Sequence, residues 1–366
     1  MTKEELLKEA STLQSELVAV RRELHKHPEL EFDLKFTKQF IWDKLLEIGV
    51  EPVSMGKSGI IVTLGGKKPG KCILLRADMD ALPILEEAEV DYKSTIEGKM
   101  HGCGHDAHTA VGVFVSRLLA DNRDSLCGTY KVIFQPAEEG ERGADEVIAT
   151  GLVDDCDAFF GLHVWSLYET GSLHATPGGV CAEPDMFKVT IHGRGGHGAT
   201  PELCIDPIAA GAAVVQSLQH IPARFISPMQ SVVVTIGSFH AGTRCNIIAQ
   251  DAVLEGTLRA FDDDVHHTLV EAFRRIITQV SEAHGCTADI EINEIAGVTY
   301  NDAGLCRIAN EAAAQLVPPG KIQPQEPSML GDDFAQYRAI APCCYVLVGM
   351  WDEAKGCCHA HHNGLF

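Results

Sequence analysis

Apolar and polar positions along this chain switch between two periods, and the switches mark its elements. The opening stretch, MTKEELLKEASTLQSELVAVRREL, sets apolar residues at helical spacing among many charges and predicts a surface helix. Gly59–Gly66 and Lys71–Ala77 are short apolar runs and predict two strands joined by a Lys-Pro-Gly turn. Helical spacing returns over His105–Asn122, and Gly128–Gln135 and Asp157–His163 predict buried strands. This alternation predicts an α/β domain, a mixed and mostly parallel sheet with helices on both faces.

The middle of the chain follows another order. Phe187–His192 reads as a strand, Asp206–Ala223 as an Ala- and Val-rich helix, Ser231–His240 and Asp251–Phe261 as strands, Val265–His284 as an amphipathic helix, and Cys286–Glu294 as a strand. That β-α-β-β-α-β order is the split βαβ, ferredoxin-like sandwich. It predicts an inserted α+β domain over residues 181–293, with 1–180 and 294–366 forming a discontinuous main domain. In the last part, helices are expected near Asp302–Leu316 and Asp332–Arg338, and a buried strand at Cys344–Val348.

Composition narrows the function classes. With 45% hydrophobic and 22% charged residues, 366 residues can bury a substantial core. A formal net charge of −21 argues against nucleic acid as a partner, because phosphate backbones call for Lys and Arg. The start does not resemble a secretory leader, and no apolar run approaches the ~18 residues of a membrane span, so no membrane association and a cytoplasmic location are expected. The 13 cysteines are odd in number and scattered, several of them (Cys72, Cys343, Cys344) in strand-like runs, which suits a reducing compartment.

Candidate chemistry gathers where strands are predicted to end. In a sheet of this class, ligands bind beyond the carboxyl ends of the strands, and Asp78, Asp80, Glu138, Glu139 and His163 fall there. Cys103 and His105 lie two residues apart beside Gly102 and Gly104, which lets the backbone turn both toward one ion. A thiolate and an imidazole suit zinc and other late divalent metals. On an extended chain, the adjacent Glu138 and Glu139 would point to opposite sides, one toward a metal and the other toward an attacking water. Each stretch alone has an ordinary structural explanation: a loop opening a helix, an acidic surface pair, a core histidine, a turn or cap aspartate. Their coincidence at one sheet edge points to a catalytic metal centre. Gly193–Pro201, with His197, and Asn246 could bring backbone and side chains close to a ligand, or could simply form turns.

At these residues the chain resembles the dimetal amidohydrolase and peptidase family, which includes aminoacylases, carboxypeptidase G-type enzymes, hippurate hydrolases and the hydrolases of auxin–amino acid conjugates. His25–Leu30, Arg76–Pro83, Met100–His108, Gln135–Gly140, Gly161–Trp165, Gly193–Pro201, Gly256–Phe261 and Gly331–Phe334 carry the resemblance across nearly the whole chain. It implies a zinc-peptidase-like catalytic domain with the inserted domain as a lid. It also implies two divalent ions per subunit, zinc or manganese, with cobalt or nickel as alternatives. Carried over to this sequence, the ligands would be Cys103, His105, Glu139, His163 and a C-terminal histidine, with His362 the best match and His361 and His359 its rivals. Glu138 would be the general base, and Asp80 would orient a ligand, His105. His197 would reach the active site of a partner subunit in a homodimer formed through the lid, and Asn246 would lie near substrate. The implied reaction is metal-assisted hydrolysis of the amide bond of a small N-acyl amino acid. The alternatives are a dipeptidase or aminopeptidase of the same fold, or a non-catalytic binding relative. Two positions depart from the family. Gly364 stands for a common Pro in the closing His-Asn-x-x-Phe stretch, after which the family continues with a strand and a helix, so a sheet edge or groove is expected to lie uncovered. Asp332 stands where Glu is common.

Overall fold

Branched and aromatic residues dominate Gly59–Gly65, Cys127–Gln135, Ala158–Glu169 and Cys343–Trp351, and Lys68–Asp78 carries Ile73, Leu74 and Leu75 at its centre; each run is a strand. The structure, a computed structural model, describes residues 3–366. With Val53–Met55 and Leu173–His174, these strands form a seven-stranded sheet. Its spatial order is Val53–Met55, Gly59–Gly65, Cys127–Gln135, Lys68–Asp78, Ala158–Glu169, Cys343–Trp351, Leu173–His174. The four strands from Cys127–Gln135 to Cys343–Trp351 are mutually parallel, and each outer strand pairs antiparallel with its inner neighbour. Helices pack against this sheet, and Leu24, Ile41, Leu45, Ile60, Val113 and Phe134 share one buried cluster.

Local differences from the sequence reading have physical causes. Gly59–Gly65 and Lys68–Asp78 are not paired, because Cys127–Gln135 lies between them. The Lys-Pro-Gly stretch is no turn; it opens the second strand, where pairing is interrupted between Lys68 and Cys72 and Pro69 is tolerated. The opening helix is two helices, Lys3–Thr12 and Gln14–Lys26, and the second buries Val20, Leu24 and His25 rather than lying on the surface; Met1 and Thr2 lie outside the described residues.

The chain divides into two compact units. One comprises Met1–Gly178, Tyr300–Glu326 and Asp332–Phe366, and the other Gly179–Thr299 and Pro327–Gly331. The second unit holds an antiparallel sheet in the order Val232–Ala241, Asp251–Ala260, Glu183–His192, Thr287–Glu294. Helices Pro207–Leu218 and Asp263–Ala283 share a core with it that includes Phe187, Val214, Leu254, Phe273 and Ile277. Each helix starts on an aspartate cap: Asp206 accepts the amides of Ile208 and Ala209, and Asp262 those of Asp264 and Val265. The helix expected to reach Ala223 stops at Leu218; Pro222 cannot donate to a helical ladder, and Ile221–Phe225 forms a wider turn. The helix expected near Asp332–Arg338 is the tighter 3₁₀ form, Asp333–Ala339.

In the first unit, helices His105–Asp121 and Ala303–Ala313 flank an apolar cavity of about 270 Å³ against the sheet, lined by Leu75, Val111, Phe160, Ala309 and Val346 among others. No helix among the described residues is long and apolar enough to cross a membrane.

Candidate metal centre

Parallel strands ending at different points shape this site. Lys68–Asp78 makes its last pair with Ala158–Glu169 at Arg76↔Gly161. Ala158–Glu169 continues beside Cys343–Trp351, so His163 sits within a strand rather than at its end, two residues past the last neighbour on the other side.

The loop after Met100 brings in a thiol and an imidazole. Gly104 has φ +90°, a left-handed turn that starts the helix at His105. A Cβ there would also run into the Val164 side chain. Cys103 Sγ comes 3.5 Å from Nε2 of His163. His105 is fully buried, with Nδ1 3.5 Å from Asp80.

The two glutamates sit on a tightly tied turn. After Gln135 ends its strand, buried Ala137 takes φ +57°, an unfavourable conformation for a residue with a Cβ. The Asp80 carboxylate accepts the amides of Glu138 and Glu139, one on each oxygen and both at 3.0 Å. The Gly143 amide donates to the Ala137 carbonyl at 2.9 Å. Because the segment is turned and not extended, the two carboxylates do not diverge as expected: Glu138 lies 3.9 Å and Glu139 3.8 Å from Nε2 of His105.

The C-terminal segment closes the cluster. The His362 amide donates to the Gly102 carbonyl at 2.8 Å, and its Nε2 comes 3.4 Å from Glu139. Gly364 accepts the Glu87 amide at 2.7 Å, and a Cβ at this position would sit 2.6 Å from the Leu85 carbonyl, which accounts for a glycine there. His361 is spoken for: Nε2 donates to the Val164 carbonyl at 3.0 Å, and Nδ1 pairs with Ser166 Oγ at 2.9 Å.

These donors fit a divalent cation. Ligand atoms of Cys103, His105 and His163 lie within 4.8 Å of one another, as do those of Cys103, Glu139 and His362, and those of His105, Glu138 and Glu139. Both ring nitrogens of His105 and one oxygen of Glu139 are buried without a hydrogen-bond partner. Such atoms cost about 1–3 kcal/mol each if nothing satisfies them. Borderline imidazole, soft thiolate and hard carboxylate together suit zinc and its neighbours. The charges point the same way. Burial and then Glu139 push the Cys103 thiol well up. Burial, Asp332 and Glu139 push the Glu138 carboxyl well above its usual range. Burial alone would keep His105 neutral, but Asp78 and Cys103 outweigh it and hold its pKa well above the usual value. Protons thus compensate negative charge that a cation would balance. His163 stays neutral, its pKa driven well below normal by burial. Its Nδ1 donates to the Val164 carbonyl at 2.6 Å, leaving the Nε2 lone pair toward Cys103.

A supporting network escaped the sequence reading. The buried Arg76 guanidinium bonds to Asp78 and Asp332, and also to Asp333 at 3.1 Å and Gln135 at 3.2 Å. Asp332 accepts the Tyr345 hydroxyl at 2.7 Å and the Phe334 amide at 2.8 Å. Its short side chain caps the 3₁₀ turn, which accounts for Asp in place of the longer Glu. Asp78 accepts from His108 Nδ1 at 2.6 Å. The available signals were the Arg-x-Asp alternation on one strand face and the three-residue spacing from His105 to His108 on one helix face. In the second unit, His197 and Asn246 are exposed neighbours: His197 pairs with Ile247, and the Gly198 amide donates to the Asn246 carbonyl at 2.9 Å.

Residues 74–365 match the pattern of Peptidase family M20/M25/M40. The chain is 34% identical to Thermostable carboxypeptidase 2 of Saccharolobus solfataricus, over 99% of this chain and 93% of that protein. It is 38% identical to an N-acyl-L-amino acid amidohydrolase of Geobacillus stearothermophilus, over 80% of each. Among solved structures, the Bacillus subtilis YXEP protein, described as a dinuclear metal binding peptidase from the M20 family, superposes with a TM-score of 0.85. It is 32% identical, with 97% of this chain and 93% of that one covered.

Proposed function

The chain belongs to Peptidase family M20/M25/M40, and on that footing we propose that it hydrolyses the amide bond of N-acyl amino acids in a metal-dependent reaction. One observation carries the reading: Cys103, His105, Glu139, His163 and His362 converge around buried, unsatisfied donor atoms with a second carboxylate, Glu138, alongside. The 38% identity to an N-acyl-L-amino acid amidohydrolase supports this substrate class.

Two divalent cations bound among these donors would supply the positive charge that makes water a nucleophile near neutral pH. Zinc or manganese suits the donor set, with cobalt or nickel as alternatives. Glu138 takes the proton of the attacking water and passes it to the leaving amine; a carboxyl held above its usual range is suited to that exchange. Asp80 keeps both glutamates in place through their amides. His105 and His163 present ring nitrogens to the same space, His163 through the Nε2 lone pair that faces Cys103. His197 is assigned to stabilising the oxyanion of the tetrahedral intermediate, acting from a partner chain in a homodimer, a contribution of about 2.7–4 kcal/mol for such a donor. Asn246 is assigned to substrate binding. The free state of all the cysteines suits a reducing, cytoplasmic setting.

A peptidase reading is favoured by the 34% identity to a carboxypeptidase. A panel of N-acetyl and N-benzoyl amino acids alongside dipeptides separates the two. N-acyl substrates are expected to be cleaved, with loss on chelation and recovery on adding zinc, manganese, cobalt or nickel. Cleavage of dipeptides alone would replace the reading with a peptidase, and cleavage of neither would overturn it.

A further inference from the structure

The strand Ala158–Glu169 keeps a partner on one edge and loses it on the other. Cys343–Trp351 stays paired through Val164↔Val348, whereas Lys68–Asp78 makes its last pair at Arg76↔Gly161. Beyond that point the backbone groups on the vacated edge need other partners. Val164 finds three, all imidazoles. Its amide donates to Nε2 of His108 at 2.9 Å. Its carbonyl accepts Nδ1–H of His163 at 2.6 Å and Nε2–H of His361 at 3.0 Å, which uses both lone pairs.

His108 is buried, and both its nitrogens are committed. Because Nε2 accepts an amide proton, the ring is neutral and carries its own proton on Nδ1. That proton goes to Asp78 at 2.6 Å, and Asp78 is itself bonded to the buried Arg76. His108 lies close to Asp78 and His105, yet it has no lone pair left to offer an ion.

We propose that His108 is a positioning residue for His163, standing in for the missing strand as acceptor of the Val164 amide. With the peptide so held, its carbonyl keeps the His163 proton on Nδ1 and aims the Nε2 lone pair toward Cys103, 3.5 Å away. The inference rests on the metal-centre reading above and adds a residue that never touches the ion. Partners that orient a metal-binding histidine typically change metal affinity about 10–100-fold.

The test is cobalt(II) titration of the metal-free, full-length chain against a competing chelator, with the thiolate-to-cobalt absorption band recorded. His108→Gln keeps one donor and one acceptor, and His108→Leu keeps neither. The Leu variant is expected to bind cobalt about 10–100-fold more weakly with an altered band, and the Gln variant to stay close to the parent in both. Parent-like affinity and spectrum in the Leu variant would overturn the proposal. If the Leu variant does not fold, histidine-selective ¹⁵N NMR of the parent decides, the His108 signals being those lost in the Gln variant. A protonated Nδ1 with a bare Nε2 supports the proposal, and the opposite tautomer overturns it. His163→Ala separates the levels. If it weakens cobalt binding and His108→Leu does not, only the role of His108 fails. If His163→Ala binds like the parent, the metal-centre reading falls and this inference with it.

Discussion

Asp80 holds Glu138 by its backbone, not by its side chain: one carboxylate oxygen accepts the Glu138 amide at 3.0 Å, and the other accepts the Glu139 amide at the same distance. The turn so fixed includes Ala137 at φ +57°, a conformation that needs support from its surroundings. Asp80→Ala removes both acceptors, whereas Asp80→Asn keeps one. The Ala variant is expected to lose about 10–100-fold in kcat, and the Asn variant less. Steady-state kinetics on an N-acyl amino acid checks the order, and equal activity in the Ala variant and the parent would contradict it.

Glu138 and Cys103 should fail in different ways. Glu138→Gln removes the base and keeps the shape, so turnover falls by about 10²–10⁴-fold while metal content holds. Cys103→Ser weakens a soft donor, so metal content itself falls. Metal analysis alongside kinetics on both variants tells them apart; loss of metal in the Gln variant would mean that Glu138 binds the ion.

Glu138 also sets a stability signature. Burial, then Asp332 and Glu139, raise its carboxyl well above the usual range in the folded, metal-free protein. Folding therefore takes up a proton, and the group's contribution is fully present below its unfolded pKa and lost as pH rises through the folded value. Glu138→Gln is neutral at every pH. Under chelation its Tm should exceed that of the parent at pH 8, and the gap should shrink toward pH 4. A gap that widens toward acid would reverse the sign and contradict the account.

Much of this architecture was legible from periodicity. His105–Asp121 and the central strands follow their apolar spacing closely, because both faces of such elements are packed and each residue's partner class is set locally. What escaped depends on where neighbouring strands stop. The early departure of Lys68–Asp78 leaves the Val164 peptide in need of partners, and no local pattern announces that His108 and His361 will supply them. The divergence expected of Glu138 and Glu139 assumed extended backbone; the left-handed Ala137 turns the segment and brings both carboxylates toward His105. Arg76 is met by Asp332 and Asp333 from far along the chain, which no local pattern around Arg76 announces.

The assignment of His197 to a partner chain makes a prediction about mixtures. Homodimers of Glu138→Gln or of His197→Ala should be nearly inactive. Mixing and reassembling the two should restore activity, because each mixed dimer regains one site with both groups. A mixture no more active than its parts would show that His197 does not act across chains.

The central claim is that distant side chains share bound cations. Anomalous diffraction from crystals grown with manganese or zinc tests it most directly. The account predicts two peaks about 3.5–4 Å apart, within bonding reach of Cys103, His105, Glu139, His163 and His362. Density that is featureless there at full metal supply, or peaks held by other residues, would contradict it.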